Sequence, residues 1–352
     1  MKVLHLLASD RFSGAENVVC QIIEMFKADD ELEMFYCSPT GQIETALKER
    51  EIKFIPIKKL TPLHLKKILR AYKPDIIHAH DVKASLTAAL TCKKAKFISH
   101  IHSHMYANNM EKSRYSIKTM LYAIVANKAQ HIFWVSQSAF DDYVMKDRIA
   151  HKSTVLKNII NINALQKKCD LDKNDYDYDV VYVGRLTELK NPTRLMHIAR
   201  AIVDKKPDAK IAIAGNGDLE NAAKDLCKSL DLQNNVHFTG FMSNPNKLLC
   251  SAKVMIMTSL TEGTPMVALE AMALGVPIVS TPVGGMCDLV ENGVNGYLSD
   301  DNDVFADYVV DICNNKELRK KLSDNTLKKA YSINDIEKYS KIIRKSYQKS
   351  DS

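Results

Sequence analysis

Short apolar runs recur along the chain, each followed by a break rich in Gly, Ser or His and then by a longer stretch with helical spacing. Residues 2–8, 33–37, 54–57, 75–80, 96–104 and 131–135 read as buried strands, with helices predicted over 14–26, 43–50, 63–72 and 106–130. The rhythm then repeats. Strands are predicted at 180–183, 211–214, 236–240, 254–257 and from 277, with helices over 267–274, from 304, and finally over 333–347. Runs that are apolar on both faces suit parallel strands covered by helices, so the pattern predicts two α/β units of doubly wound type. The boundary is placed near residue 160, giving an N-terminal unit of 1–160 and a C-terminal unit of 161–332. The last helix is expected to pack back on the first unit.

Composition adds a few exclusions. Length and apolar content suffice for two cores. The eight Cys show no C-x-x-C pair and no metal-ligand spacing, as expected of thiols in a reducing compartment. No run approaches a membrane span, and residues 1–10 do not form a signal peptide, so a cytoplasmic protein is expected. Charge is uneven. Residues 1–160 hold 24 Lys and Arg against 16 Asp and Glu, while the rest is nearly balanced. Such a surplus predicts an anionic partner. The segment 106–130 sets Lys112, Arg114, Lys118 and Lys128 among apolar residues and reads as a basic amphipathic helix suited to an anionic bilayer.

The candidate chemistry centres on residues 254–277. An apolar strand ends there in Glu262-Gly263-Thr264-Pro265, and a helix bearing Glu270 follows. Free N–H groups and the positive dipole end of such a helix favour an anion. Two flanking carboxylates accept hydrogen bonds from hydroxyls. A ligand with phosphates and hydroxyls, such as a nucleotide-sugar, fits both features. Upstream, Gly184-Arg185 and Lys190 follow a strand and offer two cations, one a planar fork and one a mobile point charge. Gly-x-Gly turns follow other strands, as at Gly215 and Gly217.

Glu262 and Glu270, with seven residues between them, together with Gly-Arg-Leu and Lys190, resemble the motifs of family 4 retaining glycosyltransferases. The resemblance covers nearly the whole chain and is strongest over 180–285. It implies the GT-B fold, two Rossmann-like domains facing across a cleft. It also implies a nucleotide-diphosphate sugar donor, UDP-linked foremost, and a glycan or lipid-linked acceptor in envelope polysaccharide synthesis. Glu270 is then expected to meet the ribose, Glu262 the sugar hydroxyls, and Arg185, Lys190 and the amides of Gly263, Thr264, Pro265, Met266 and Val267 the diphosphate (Pro265 lacking an N–H). Gly14, Gly184, Gly217, Gly240 and Phe241 join the donor site by the same likeness. His102 fits best as the histidine facing the reacting sugar, with His100 second. The family pattern departs at Asn158-Ile159, where Asn-Gly is usual.

Two metal readings compete. His78, His80, His100, His102 and His104 alternate at strand ends, as zinc ligands can. Asp170-x-Asp172 and Asp175-x-Asp177-x-Asp179 match a D-x-D pattern but read as a hydrated acidic spacer between domains. Since the resembled family works without a metal, no metal and no cofactor are expected. Nucleic acid is not an expected partner. A silent GT-B-fold subunit and a nucleotide-sugar epimerase are the alternative functions.

Overall fold

Seven parallel strands build the first sheet: β1 (Lys2–Leu6), β2 (Glu33–Ser38), β3 (Phe54–Pro56), β4 (Ile76–His80), β5 (Lys96–Ile101), β6 (His131–Trp134) and β7 (Ser153–Val155), ordered β3-β2-β1-β4-β5-β6-β7. Six parallel strands build the second: β8 (Val180–Val183), β9 (Ile211–Ala214), β10 (Val236–Gly240), β11 (Val254–Met257), β12 (Ile278–Ser280) and β13 (Gly296–Leu298), ordered β10-β9-β8-β11-β12-β13. Both are doubly wound, as the alternating pattern predicts. The strand order reverses between β1 and β4 and between β8 and β11, and such switch points open the crevices where ligands of these sheets bind.

This computed structural model describes residues 1–102 and 117–348. It divides into Met1–Ile159 with Ile336–Ser352, and Ile160–Asp335. The C-terminal chain therefore returns to the first unit. It does so through the helix Ile336–Tyr347, separated by a short break from the helix Lys316–Ile333, rather than through one helix from 333. Tyr339, Ile343 and Tyr347 are buried, and Arg344 bridges to Asp29 and Glu31.

Each unit has its own core. In the first, Leu4, Leu6, Ile77, Ala79, Phe97 and Ile101 pack with Tyr122, Val125 and Trp134. In the second, Val180, Tyr182, Ile211, Ile213 and Ile256 pack with Leu195, Ile198, Ile202 and Phe305. Fully burying a side chain of the Val, Leu, Ile, Phe or Met kind is worth roughly 1.5–3 kcal/mol, so these faces hold the helices on the sheets.

Two sequence expectations need correction. The strand predicted over 96–104 ends at Ile101. The acidic stretch 170–179 lies inside the second unit rather than between units, and its ends are structured. Asp170 lies in the last turn of a helix, Ile162–Leu171. Asp179 is buried, where it accepts from Lys253 Nζ at 2.6 Å and from the Lys210 N–H at 3.1 Å. A buried carboxylate with these partners pins β8 to its neighbours, which composition alone reads as solvated charge. Of the predicted amphipathic segment, residues 106–116, with Lys112 and Arg114, lie outside the described residues, as does His104. Within the described part, the helix Ile117–Lys128 buries Tyr122 and Val125 and exposes Met120. It neighbours the helix Asp81–Thr91, which in turn neighbours Pro62–Tyr72.

Candidate functional site

The loops that leave the C-terminal ends of β8, β9, β11 and β12 are tied to one another by backbone contacts. After β8 the chain turns at Gly184. Leu186 N–H donates to the Asn216 carbonyl at 2.8 Å, and Gly184 N–H to the Ala214 carbonyl at 2.9 Å. A Cβ on Gly215 would lie 1.9 Å from the Gly184 oxygen, and its φ is +141°, so only glycine serves here. Gly217 sits against Leu186 in the same way, and Gly240 accepts from the Gly215 N–H at 2.8 Å. Phe241, next in sequence, is exposed.

Lys190 ends a single turn of 3-10 helix, Glu188–Lys190. Asn191 follows in the left-handed region at φ 52°, a conformation that Asn tolerates better than most residues. Its side chain caps the helix Pro192–Lys205 by accepting from the Arg194 N–H at 3.2 Å. Thr258, just past β11, donates to the Lys190 carbonyl at 3.0 Å, and Leu260 N–H donates to the Leu189 carbonyl at 2.9 Å. The two loops at the switch point are thus joined along their backbones.

Their side chains meet as well. Lys190 Nζ donates to Glu262 Oε1 in an ion pair, and Ser259 Oγ donates to the same oxygen at 2.6 Å. Glu262 is buried, while Arg185 stands exposed. Both act on Tyr182. Burial raises its phenol, Glu262 raises it further, and Arg185 opposes them. Tyr182 in turn donates to the Arg185 carbonyl at 3.1 Å.

The helix Met266–Ala273, with Pro265 as its N-cap, starts one position before the predicted Val267. Its first N–H groups have no intrahelical acceptor. Gly263, Thr264, Pro265 and Met266 are buried, and Val267 and Glu270 are half-buried. The Gly263 loop rests on the chain after β12. Gly285 N–H donates to the Glu262 carbonyl at 3.1 Å, and Thr281 Oγ1 to the Ser259 carbonyl at 2.7 Å.

Arg185, Lys190, Glu262 and the first turn bearing Gly263 to Val267 therefore gather at the second sheet's switch point. One helix N-terminus and two cations suit a diphosphate, and carboxylates suit hydroxyls. The sequence reading missed Ser259, Thr258 and Gly285. Each matters through a contact that its local sequence does not display.

The remaining candidates belong to the first unit. Gly14 opens the helix Gly14–Met25 and is exposed. Ser13 and Glu16 close that end through a side-chain hydrogen bond, an S-x-x-E arrangement the sequence also carries. His102 is half-buried. Its N–H donates to Asp81 Oδ1 at 2.9 Å, and its Nε2 lies 2.8 Å from His80 Nδ1. Burial lowers its imidazole to about 3, so it stays neutral near pH 7. Burial raises Asp81 to about 6, against the His102 N–H that lowers it. His100 is fully buried and offers no ring edge to solvent.

Comparison with known proteins matches the two units separately. The family model for glycosyl transferases group 1 matches residues 165–329, and that for glycosyltransferase family 4 matches residues 12–164. Two uncharacterized glycosyltransferases of Methanocaldococcus jannaschii and one of Haemophilus influenzae are 29–31% identical to the chain. The chain spans between 54% and 63% of their length. The UDP-Gal:alpha-D-GlcNAc-diphosphoundecaprenol alpha-1,3-galactosyltransferase of Escherichia coli is 24% identical over 90% of this chain and 89% of its own. Among solved structures, HepE of Anabaena in complex with UDP-glucose superposes with a TM-score of 0.84 at 21% identity, covering 98% of this chain and 99% of that one. That likeness is one of fold, the two Rossmann-like domains of GT-B.

Proposed function

Because the chain belongs to glycosyltransferase family 4, its two halves matched by the two family models, we propose that it transfers a hexose or N-acetylhexosamine from a UDP-sugar to a glycan or lipid-linked acceptor of envelope polysaccharide. The observation that carries this is the gathering of Arg185, Lys190 and Glu262 at the β8–β11 switch point beside the first turn of Met266–Ala273. HepE, bound to UDP-glucose, and the Escherichia coli relative, named for UDP-Gal and a diphosphoundecaprenol-linked acceptor, support this donor and acceptor class.

In this mechanism the second unit holds the donor, and the first unit supplies the acceptor side. Negative charge builds on the β-phosphate as the glycosidic bond breaks. Arg185, Lys190 and the amides from Gly263 to Val267 neutralise it, with Gly184, Gly217 and Gly240 letting backbone approach and Phe241 beside the base. Glu270 accepts from the ribose hydroxyls. Glu262, held by Lys190 and Ser259, accepts from the sugar hydroxyls. Lys190 has three donors, so it can keep Glu262 while it meets a phosphate oxygen. Gly14 approaches the diphosphate, and neutral His102 meets the reacting sugar. Attack from the leaving-group face retains the anomeric configuration. The cation clamp replaces a divalent metal in this step.

A screen of nucleotide-sugars by thermal unfolding tests the reading. The true donor at ~100 times its Kd adds about 2.7 kcal/mol of stability. Turnover of that donor is expected to persist in EDTA. No stabilisation by any nucleotide-sugar counts against the donor, and loss of turnover on chelation, restored by Mn²⁺, counts against the metal-free clamp.

We further propose that the first unit docks reversibly on an anionic membrane from the cytoplasmic side. Among the described residues, no helix is long and apolar enough to cross a membrane. Lys66, Lys67 and Arg70 are exposed on Pro62–Tyr72 beside exposed Leu63, and exposed Leu90 and Met120 lie on the neighbouring helices. Each such cation adds about 1 kcal/mol near an anionic surface, and salt screens it. Flotation is expected to favour phosphatidylglycerol over phosphatidylcholine vesicles, and Lys66→Gln, Lys67→Gln and Arg70→Gln together should weaken it. Equal flotation on both vesicles, or none, would remove the electrostatic basis.

A further inference from the structure

The switch point of the first sheet carries a field of imidazoles. His5 lies on β1 and His78 and His80 on β4, with His5 in register opposite His78. His100 on β5 pairs in register with His80, and His102 follows. His5, His78, His80 and His100 are at most 2% exposed. Their rings stack on one another, with His78 and His80 centroids 4.5 Å apart.

Such burial demands hydrogen-bond partners, and several are missing. Among the described residues, His5 Nε2, His78 Nε2 and both ring nitrogens of His100 are buried with none. Buried polar atoms without partners are rare in folded proteins, and an unseen ion is one of the few explanations. A neutral imidazole is the form that binds a metal.

We propose that His5, His78 and His80 hold one transition-metal ion of the zinc class inside the first unit. Each offers one ring nitrogen, and the three nitrogens lie within 4.8 Å of one another. A zinc–nitrogen bond of about 2.0–2.1 Å brings tetrahedral ligands to a mutual separation on the order of 3.4 Å, so modest ring rotation closes the site. His5 Nδ1 and His80 Nε2, hydrogen-bonded to each other at 3.0 Å, would turn that contact over to the ion, and His78 Nε2 is the partnerless atom the ion would satisfy.

The second layer supports this set over His80, His100 and His102, the other triad that closes to the same distance. His78 Nδ1 lies 2.9 Å from Tyr347 Oη. With the proton on Nδ1 donated to that phenol oxygen, the bare Nε2 lone pair faces the cluster. Ligating histidines are commonly held in this way, the second ring nitrogen donating to a fixed acceptor. Three imidazoles leave a fourth position for another ligand. His102 then stays with the substrate, and the ion has no part in the transfer proposed above. The helix Ile336–Tyr347 supplies Tyr347, so the ion would tie the returning C-terminal helix to the sheet through His78.

The test measures metal directly, without an activity assay. The full-length chain from zinc-supplemented culture is expected to hold about one ion per molecule by elemental analysis. The metal-stripped chain should take up Co²⁺ with the visible absorption of a tetrahedral nitrogen site. His5→Asn and His78→Asn should abolish uptake. Tyr347→Phe should weaken it about 10- to 100-fold, as for loss of an outer hydrogen bond. His131→Gln, which alters a half-buried imidazole outside the triad, should leave it unchanged. A wild-type chain with no ion and no Co²⁺ spectrum overturns the site, as does full uptake by His5→Asn and His78→Asn. Should those two variants fail to fold, wild-type stoichiometry and the Tyr347→Phe titration decide.

Discussion

Replacing Arg185 or Lys190 by alanine is expected to cut turnover by roughly ten- to a thousandfold, the range for one lost charge-stabilising donor in a transition state. The two variants differ in what else they disturb. Arg185 is exposed, and among the described residues it makes no salt bridge, so its removal leaves the fold intact. Lys190 is paired with buried Glu262, which also accepts from Ser259. Removing one member of a buried ion pair costs about 3–5 kcal/mol, because the other charge is left uncompensated. Lys190→Ala is therefore expected to lower Tm as well as kcat, and Arg185→Ala kcat alone. Steady-state kinetics at saturating donor, with Tm recorded for each variant, separate the two effects. Wild-type kcat in both variants, with folding intact, would rule out the clamp.

Gly285→Ala is expected to lose about a hundredfold in turnover, the cost of misplacing reacting groups by about 1 Å. Gly285 has φ −64°, which alanine adopts freely, so backbone strain plays no part. The obstacle is contact. A Cβ there would lie 1.7 Å from the Gly263 oxygen and 3.3 Å from Thr264 Cα. Both atoms belong to the backbone of the donor loop, so relief requires moving that loop away from Glu262 and the helix behind it. Gly293→Ala is the control. Its φ is +74° with no neighbour within 4 Å, so it should cost about 1–2 kcal/mol of strain and leave turnover unchanged. Equal kcat for Gly285→Ala and wild type, at equal donor concentration, would show that this contact does not set the loop.

Much of the molecule was legible without coordinates. Apolar runs with helices between them follow from local periodicity, and both parallel sheets came from that pattern. The Glu262–Glu270 spacing, the Gly-Arg-Leu turn and Lys190 were readable because a strand, a turn and a helix start lie within a few residues of one another. The acidic stretch failed for a related reason. Composition averages over neighbours and cannot tell buried Asp179 from the solvated acids beside it.

What tertiary structure decided is which distant residues meet. Lys190 reaches Glu262 only because β8 and β11 are adjacent at a reversal of strand order, 72 positions apart in sequence. Gly285 must be glycine because the loop after β12 lies on the loop after β11. His78 meets Tyr347 across 269 positions, because the chain leaves the second unit and its last helix belongs to the first. A sequence carries periodicity within an element. The order of strands and the path of the returning chain follow from burying all those faces at once, and that global condition set these contacts.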